Sequence, residues 1–328
     1  MLESRPLGAT PLTVTPIGLG LAALGRPAYI TLGRDRDLGD GRGVAEMERR
    51  SHQVLDAAWD HGIRYLDAAR SYGRAEEFLT SWLAARRIRP GSVTVGSKWG
   101  YRYVGDWRMD AEVHEVKDHT APALDAQIAE SRTLLGDHLN LYQIHSAMLD
   151  TGVLDDPEVL TRLLALADDG LVIGLSTSGS GQAETVRKAM AVEIGGRNPF
   201  RCVQATWNLL EPSAGAALAE AHAAGWGVIV KEAVANGRLA PGSPLGATSE
   251  LAMVARRHGV EIDAVAIAAA LAQPWVDVVL SGAATVGHLD DNLHALRVEL
   301  DDDELDRLGL LAETATAYWR ERAELPWQ

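Results

Sequence analysis

Cysteine is almost missing from this sequence: Cys202 alone among 328 residues excludes an intrachain disulfide and a cysteine-built metal cluster. A reducing, cytoplasmic setting is therefore expected. The strand-like surroundings Arg201-Cys202-Val203-Gln204 read as those of a buried, inert thiol rather than a nucleophile. Long apolar runs are missing too. The longest, residues 264–272, falls far short of the ~20 residues that a bilayer crossing needs, so no membrane partner is expected. Positive charge is scarce, since 31 Lys and Arg against 45 Asp and Glu leave a formal −14. That balance repels phosphate backbones and argues against nucleic-acid binding. The ten histidines show no His-x-His or His-Glu-x-x-His spacing, so no metal site is expected. His52, His61, His222, His258 and His294 read instead as helix-surface residues. The opening Met-Leu-Glu-Ser-Arg-Pro-Leu-Gly lacks a basic segment followed by an apolar run, so no secretory signal is expected.

What is present is alternation. Short β-rich runs at 17–21, 63–68, 93–98, 139–145, 172–176, 202–207, 227–231 and 276–281 are separated by amphipathic stretches. The helical patterns fall at 47–60, 75–86, 123–135, 157–168, 183–194 and 214–224, with 247–258 and 262–272 after the seventh strand. Strands alternating with helices imply parallel pairing and right-handed crossovers, and eight such units predict a (β/α)8 TIM barrel. Gly62, Gly170 and Gly225 each stand between a helical run and a strand, where a left-handed helix terminus is wanted. No composition shift or Pro/Ser-rich linker divides the chain, so residues 1–328 read as a single barrel domain. Ahead of the first barrel strand, two extended segments around Gly8-Ala9-Thr10 predict an N-terminal β-hairpin plugging the barrel bottom. Two long loops, 25–43 and 99–120, leave the C-terminal ends of strands one and three, the catalytic face of such barrels. Loops of that length suggest function, and both are expected to close over a substrate.

The chemistry-bearing residues converge there. Strand two ends at Asp67 with Tyr72 five positions on, strand three ends at Lys98, and strand four at His145. Taken singly, Asp67 reads equally as a helix cap, Lys98 as a solvated strand end and His145 as a core histidine. A charged residue at a buried strand end is costly unless paired, and three consecutive strands delivering one suggest a shared site.

On these residues the sequence resembles the aldo-keto reductase superfamily, whose Asp, Tyr, Lys and His tetrad is matched by Asp67, Tyr72, Lys98 and His145. The likeness extends to Pro16-Ile17-Gly18-Leu19-Gly20, Ile173-Gly174-Leu175-Ser176, Val203-Gln204-Ala205-Thr206-Trp207-Asn208, and Ser281-Gly282-Ala283 running to Leu289-Asp290-Asp291-Asn292-Leu293. The resemblance implies an NAD(P)H-dependent oxidoreductase that reduces a small-molecule aldehyde or ketone to the alcohol, with Tyr72 as general acid. It implies NADP(H) as cofactor, NAD(H) remaining open. Tyrosine is a poor acid at its ordinary pKa of about 10; Lys98 is expected to lower it, with Asp67 holding Lys98 and His145 orienting the substrate oxygen. For the cofactor, the resemblance puts Gly20, Leu21 and Ala22 beside it, Ser176 and Gln204 on the carboxamide, and Glu232 and Val234 along the pyrophosphate. Gly282, Ala283, Ala284, His288, Asp291 and Asn292 then surround the adenosine. Thr177 stands where an Asn is usual, and Lys231 where an aromatic commonly stacks on the nicotinamide, for which Trp207 is a substitute. The segment 282–288 contains no Lys or Arg, leaving His288 as its cation for a 2′-phosphate, with backbone amides or Arg297 as the alternative grip. Trp99, Tyr101 and Trp107 of the second long loop read as substrate wall. The tail aromatics Tyr318, Trp319 and Trp327 read either as part of that wall or as docking the tail onto the barrel.

Two alternatives share the tetrad: an NAD-dependent sugar or alcohol dehydrogenase running in the oxidative direction, and a cofactor-sensing regulatory subunit. A Rossmann domain is argued against. Gly18-Leu19-Gly20-Leu21-Ala22-Ala23 fits the G-x-G-x-x-A fingerprint, but Gly25 and Pro27 interrupt the helix that should follow.

Overall fold

The computed structural model describes residues 2–39, 41–244 and 250–328. In chain order the strands are β1 (Arg5–Pro6), β2 (Thr13–Val14), β3 (Ile17–Gly20), β4 (Tyr65–Asp67), β5 (Thr94–Trp99) and β6 (Tyr101–Tyr103). Then come β7 (Glu115–Lys117), β8 (Leu139–Ala147), β9 (Val172–Thr177), β10 (Phe200–Thr206), β11 (Gly227–Lys231) and β12 (Val278–Ser281). Eight of them, β3, β4, β5, β8, β9, β10, β11 and β12, close into a parallel barrel, with β12 pairing back onto β3. These are the eight strands read from the sequence, with ends shifted by a few residues. Barrel strands are covered on both faces, which is why β5 and β9 are buried at every position.

The helices are α1 (Arg34–Leu38), α2 (Val44–Asp60), α3 (Ala75–Arg86), α4 (Ala121–Leu135), α5 (Pro157–Asp168) and α6 (Gln182–Met190). The rest are α7 (Gly215–Ala223), α8 (Glu250–His258), α9 (Ile262–Leu271), α10 (Val286–Leu293), α11 (Asp302–Gly309) and α12 (Ala315–Ala323). In α3, Phe78, Leu79, Trp82 and Leu83 recur at helical spacing and are buried, while Glu76 and Glu77 begin the helix and Arg86 ends it, as the helix dipole favours. Gly62, Gly170 and Gly225 hold φ of 90°, 97° and 85°, the left-handed termini that the sequence placed there. Residues 247–249 of the expected helix 247–258 lie outside the described residues, as does Asp40 of the first long loop. The helix expected to reach 194 stops at Met190, because Asn198 Nδ2 takes the carbonyls of Ala189 and Met190 at 2.8 and 3.0 Å. Among the described residues no helix is long and apolar enough to cross a membrane.

The hairpin β1–β2 seals the end of the barrel opposite the site. Arg5 pairs with Val14 and Pro6 with Thr13, and Leu7 and Val14 pack with Tyr65, Leu141, Cys202, Ile229 and Val278. Cys202 is fully buried there, and burial pushes its thiol well above its ordinary range, the inert state anticipated. Gly18 and Gly96 make room for the ring of Tyr65 inside the barrel: a Cβ at Gly96 would stand 2.6 Å from its hydroxyl.

The hairpin turn admits no side chain at Gly8. Its φ is +53°, and a Cβ would meet Gly227 N and Trp226 C at 2.4 Å. Gly8→Ala is therefore expected to lower unfolding stability by about 3 kcal/mol, from left-handed strain and an immovable backbone contact. Urea unfolding measures this, and a wild-type midpoint would contradict the seating of the plug.

Candidate active site

Each tetrad residue reaches the same end of the barrel because each lies at or just past a strand's C-terminal end. Asp67 ends β4, Lys98 is the penultimate residue of β5, His145 lies near the end of β8, and Tyr72 sits in the turn between β4 and α3. Lys98 and Asp67 are 0% and 1% exposed, so neither charge is solvated by water. They neutralise each other in a direct ion pair. The pair is itself satisfied: Lys98 Nζ also donates to Ala68 O at 3.1 Å and to the Tyr72 hydroxyl at 3.3 Å. Asp67 Oδ2 accepts from Tyr65 OH at 3.0 Å and from Gln204 Nε2 at 2.8 Å. Since the ammonium occupies a lone pair of the Tyr72 oxygen, the phenolic proton is left for another acceptor.

His145 stands edge-on to Tyr72, ring centroids 5.4 Å apart. Its Nδ1 lies 3.2 Å from Ser71 Oγ, and no described residue engages Nε2. Burial and the neighbouring Lys98 and Arg26 cations hold its pKa well below the histidine range, so the ring is neutral. For Tyr72 the net shift is the reverse of the one expected from Lys98. Burial and then the Asp67 carboxylate push the phenol well above 10, and Arg26 only partly opposes them. Tyr72 therefore keeps its proton at neutral pH.

Asp67, Tyr72 and His145 line a cavity of about 350 Å³, with Lys98 fully buried behind them. Of the residues linked to cofactor by resemblance, Gly20, Ala22, Gln204, Lys231, Glu232, Val234 and Gly282 are on its wall, and Tyr101 is there of the substrate candidates. Others lie behind that surface. Leu21 is in the core, Thr177 is buried, and Ser176 Oγ accepts from Ser146 N at 2.9 Å. Ala283 is buried, and Ala284 packs with Leu38, Met47 and Phe78. Asn292 is held between Ser281 Oγ, at 2.7 Å, and Asp263 Oδ2, at 2.8 Å. Asp291 and His288 are partly exposed on α10, and His288 Nε2 lies 3.7 Å from Asp37 Oδ1. Two aromatics correct the sequence reading of a substrate wall. Trp99 is fully buried against His119, and Trp107 packs on Phe78 while its Nε1 donates to Arg42 O at 2.7 Å, pinning one long loop to the other. Trp207 likewise packs on Trp275 and does not reach the cavity as a stacking surface.

Residues that the sequence did not single out complete the wall. Arg26, 2% exposed, pairs with Glu115 at 2.6 Å and lies within 4.6 Å of the Tyr29 ring centroid, 5.2 Å of Tyr72 and 5.0 Å of Trp327. Arg322 of α12 grips Glu232 through both carboxylate oxygens, and burial is outweighed by Arg322 and Lys231 in holding that carboxyl down to about 2. Nothing in sequence spacing joins Arg26 to Glu115 or Glu232 to Arg322; the signal was only that each is a charged residue in a loop or tail near the catalytic face. The two long loops meet at Arg26–Glu115, within walls formed partly by a β6–β7 hairpin. The first also reaches the segment after β11, where Leu32 N donates to Asn236 O at 3.0 Å and Asn236 Nδ2 to Ile30 O at 2.9 Å.

A nicotinamide dinucleotide suits these residues. Gln204 spends Nε2 on Asp67 and keeps Oε1 without a donor among the described residues. The cavity continues from Tyr72 to Gly282, where a Cβ would meet nothing within 4 Å, and the first-turn amides of α10 follow. Among the described residues no group of three or more His, Cys, Asp or Glu is arranged to hold a metal ion.

Comparison with known proteins agrees with this geometry. D-threo-aldose 1-dehydrogenase of a Pseudomonas species is 26% identical over 353 residues, covering 95% of this chain and 98% of that one. The holo structure of an aldo-keto reductase from Bacillus halodurans superposes with a TM-score of 0.70 at 21% identity, covering 96% and 98% of the two chains. The glycerol dehydrogenase of Gluconobacter oxydans shares the same fold, with a TM-score of 0.69, 20% identity and 94% coverage of each chain. The sequence model of the Aldo/keto reductase family matches residues 16–313, and the chain belongs to that family.

Proposed function

We propose that this oxidoreductase moves hydride between a nicotinamide dinucleotide and a small carbonyl or alcohol, with Tyr72 carrying the proton. The observation behind this reading is one arrangement: Tyr72, its oxygen held 3.3 Å from a fully buried Lys98, opens on the cavity beside the unengaged Nε2 of His145. When bound, a reduced nicotinamide supplies the hydride. Negative charge then grows on the carbonyl oxygen, which Tyr72 O–H protonates while His145 donates from Nε2 to fix its position. A phenol with a raised pKa is a weak acid, but an alkoxide is a far stronger base. The phenolate left behind faces Lys98, so the ammonium acts mainly after the proton has moved. Asp67 keeps that ammonium in place. In the oxidative direction the same oxygen accepts the alcohol proton.

A second reading, sugar or polyol oxidation, is favoured by the cavity wall. Arg26 with Glu115 and Arg322 with Glu232 offer both donors and acceptors, and Tyr29 and Trp327 offer flat faces, a combination that suits a ring with many hydroxyls.

For the dinucleotide we propose NADP(H) with weak discrimination against NAD(H). His288 is the cation of its segment, but its side chain is 41% exposed and already neighbours Asp37. A 2′-phosphate must compete with that carboxylate for the ring.

Tyr72→Phe is expected to lower kcat at least about a hundredfold while dinucleotide Kd stays close to wild type. Retention of most turnover toward a good aldehyde would contradict the assignment. The wild-type ratio of Kd for NADH to Kd for NADPH should stay below about tenfold at neutral pH. Asp37→Asn should raise it. A large NADPH preference that survives His288→Ala would defeat this account of the adenosine end.

A further inference from the structure

The charges around the cavity do not balance, and the excess sits on one side chain. Lys98 is matched by Asp67 and Arg26 by Glu115. Glu232 is shared: Arg322 takes both of its oxygens, Thr206 Oγ1 donates to Oε2 at 3.0 Å, and Lys231 comes no nearer than 3.8 Å. The hydrogen-bond partner of Lys231 Nζ is the neutral Thr206 Oγ1, at 2.7 Å. Lys231 is the last residue of β11, its side chain is 16% exposed, and it lines the cavity with Tyr72, His145 and Gln204. It is thus a largely buried ammonium with half a counter-ion.

Hydride transfer requires the nicotinamide ring to share this cavity with a carbonyl held at Tyr72, because the reacting atoms must come within about 3.5 Å. The oxidised ring carries a positive charge and an electron-poor face. The reduced ring is neutral and electron-rich, the kind of face that attracts a cation. Neither β10 nor β11 sends an aromatic ring to this wall, since Trp207 is packed on Trp275. We propose, resting on the functional reading above, that Lys231 sets the redox-state preference of the bound cofactor, favouring dihydronicotinamide over the pyridinium. Tighter holding of the reduced form shifts the equilibrium on the protein toward it, so alcohol oxidation gains what carbonyl reduction loses.

The preference should depend on pH. Burial pushes Lys231 down to about 8, Glu232 partly offsetting it and Arg322 and Lys98 adding to it. Facing groups hold their charge state as Lys231 titrates: Glu232 is held low, Arg322 of α12 is raised, His145 of β8 is neutral, and Tyr72 is pushed well above 10. Lys98 of β5 is committed to Asp67. The ammonium form predominates below about 8 and is half lost at that pH, so the preference is present at pH 7 and fades as pH rises.

Calorimetric Kd values for NADP⁺, NADPH, NAD⁺ and NADH, measured on the intact protein from pH 7.0 to 9.5, test this. The ratio of oxidised to reduced Kd is expected to fall about tenfold across that range in wild type. Lys231→Met should show the lower ratio at every pH, and Lys231→Arg should keep the higher one through pH 9.5. A wild-type ratio that is flat with pH and equal to that of Lys231→Met overturns the inference while the functional reading stands, and the wild-type series needs no variant to fold. If none of the four dinucleotides binds, the functional reading fails and the inference falls with it.

Discussion

The buried ion pair between Lys98 and Asp67 is the constraint around which the C-terminal end of the barrel is arranged. Two charges without water need full hydrogen bonding, and removing one partner of such a pair costs about 3–5 kcal/mol. Here the need is met by Ala68 O on one side and by Tyr65 and Gln204 on the other. Meeting it has consequences several strands away. Tyr65 must lie inside the barrel, which requires Gly96 beside its hydroxyl and Gly18 beside its ring. Gln204 must cross from β10 to Asp67, which leaves its Oε1 to a ligand. The remaining donor capacity of Lys98 falls on Tyr72, and that geometry underlies the proposed proton transfer.

Above this pair, the walls combine paired charges with Tyr101 and Trp327, two of the aromatics that the sequence suggested. Arg26–Glu115 links the two long loops, and Arg322–Glu232 links the tail helix to the end of β11. Trp99 and Trp107 serve packing and loop attachment, while Tyr29 and Trp327 reach the cavity. The same wall concentrates its unbalanced charge at Lys231.

The barrel was legible because its signals are local and repeated: buried β-rich runs, helical stripes, and glycines at helix ends. The tetrad was legible because strand ends in a barrel converge by topology, so Asp67, Lys98 and His145 needed no contact information to be grouped. What was hidden depends on tertiary partners. The five-residue α1, Arg-Asp-Arg-Asp-Leu, has no apolar stripe and is fixed by packing of Leu38 and burial of Arg34. The hairpin β6–β7 joins segments separated by an irregular connection. Helix α11 is different: its capping box of Asp301 and Glu304 is a signal carried in the local sequence. The sequence shows the Lys98 cation beside Tyr72 but not the extent of burial, which dominates and reverses the expected shift. For the same reason Ala283, Ala284 and Asn292 matched the family pattern yet lie behind the cavity surface.

The central claim is that a cofactor and a carbonyl react directly in the cavity beside Tyr72. Deuterium transfer tests it most directly: the protein is incubated with NADPH, and separately NADH, deuterated at nicotinamide C4, together with a panel of aldehydes and aldoses, and the alcohol products are analysed by mass spectrometry. The account predicts one deuterium on the former carbonyl carbon, with no label arriving there from deuterated water. Bound dinucleotide with no label transferred to any substrate, or label arriving from solvent instead, would contradict it.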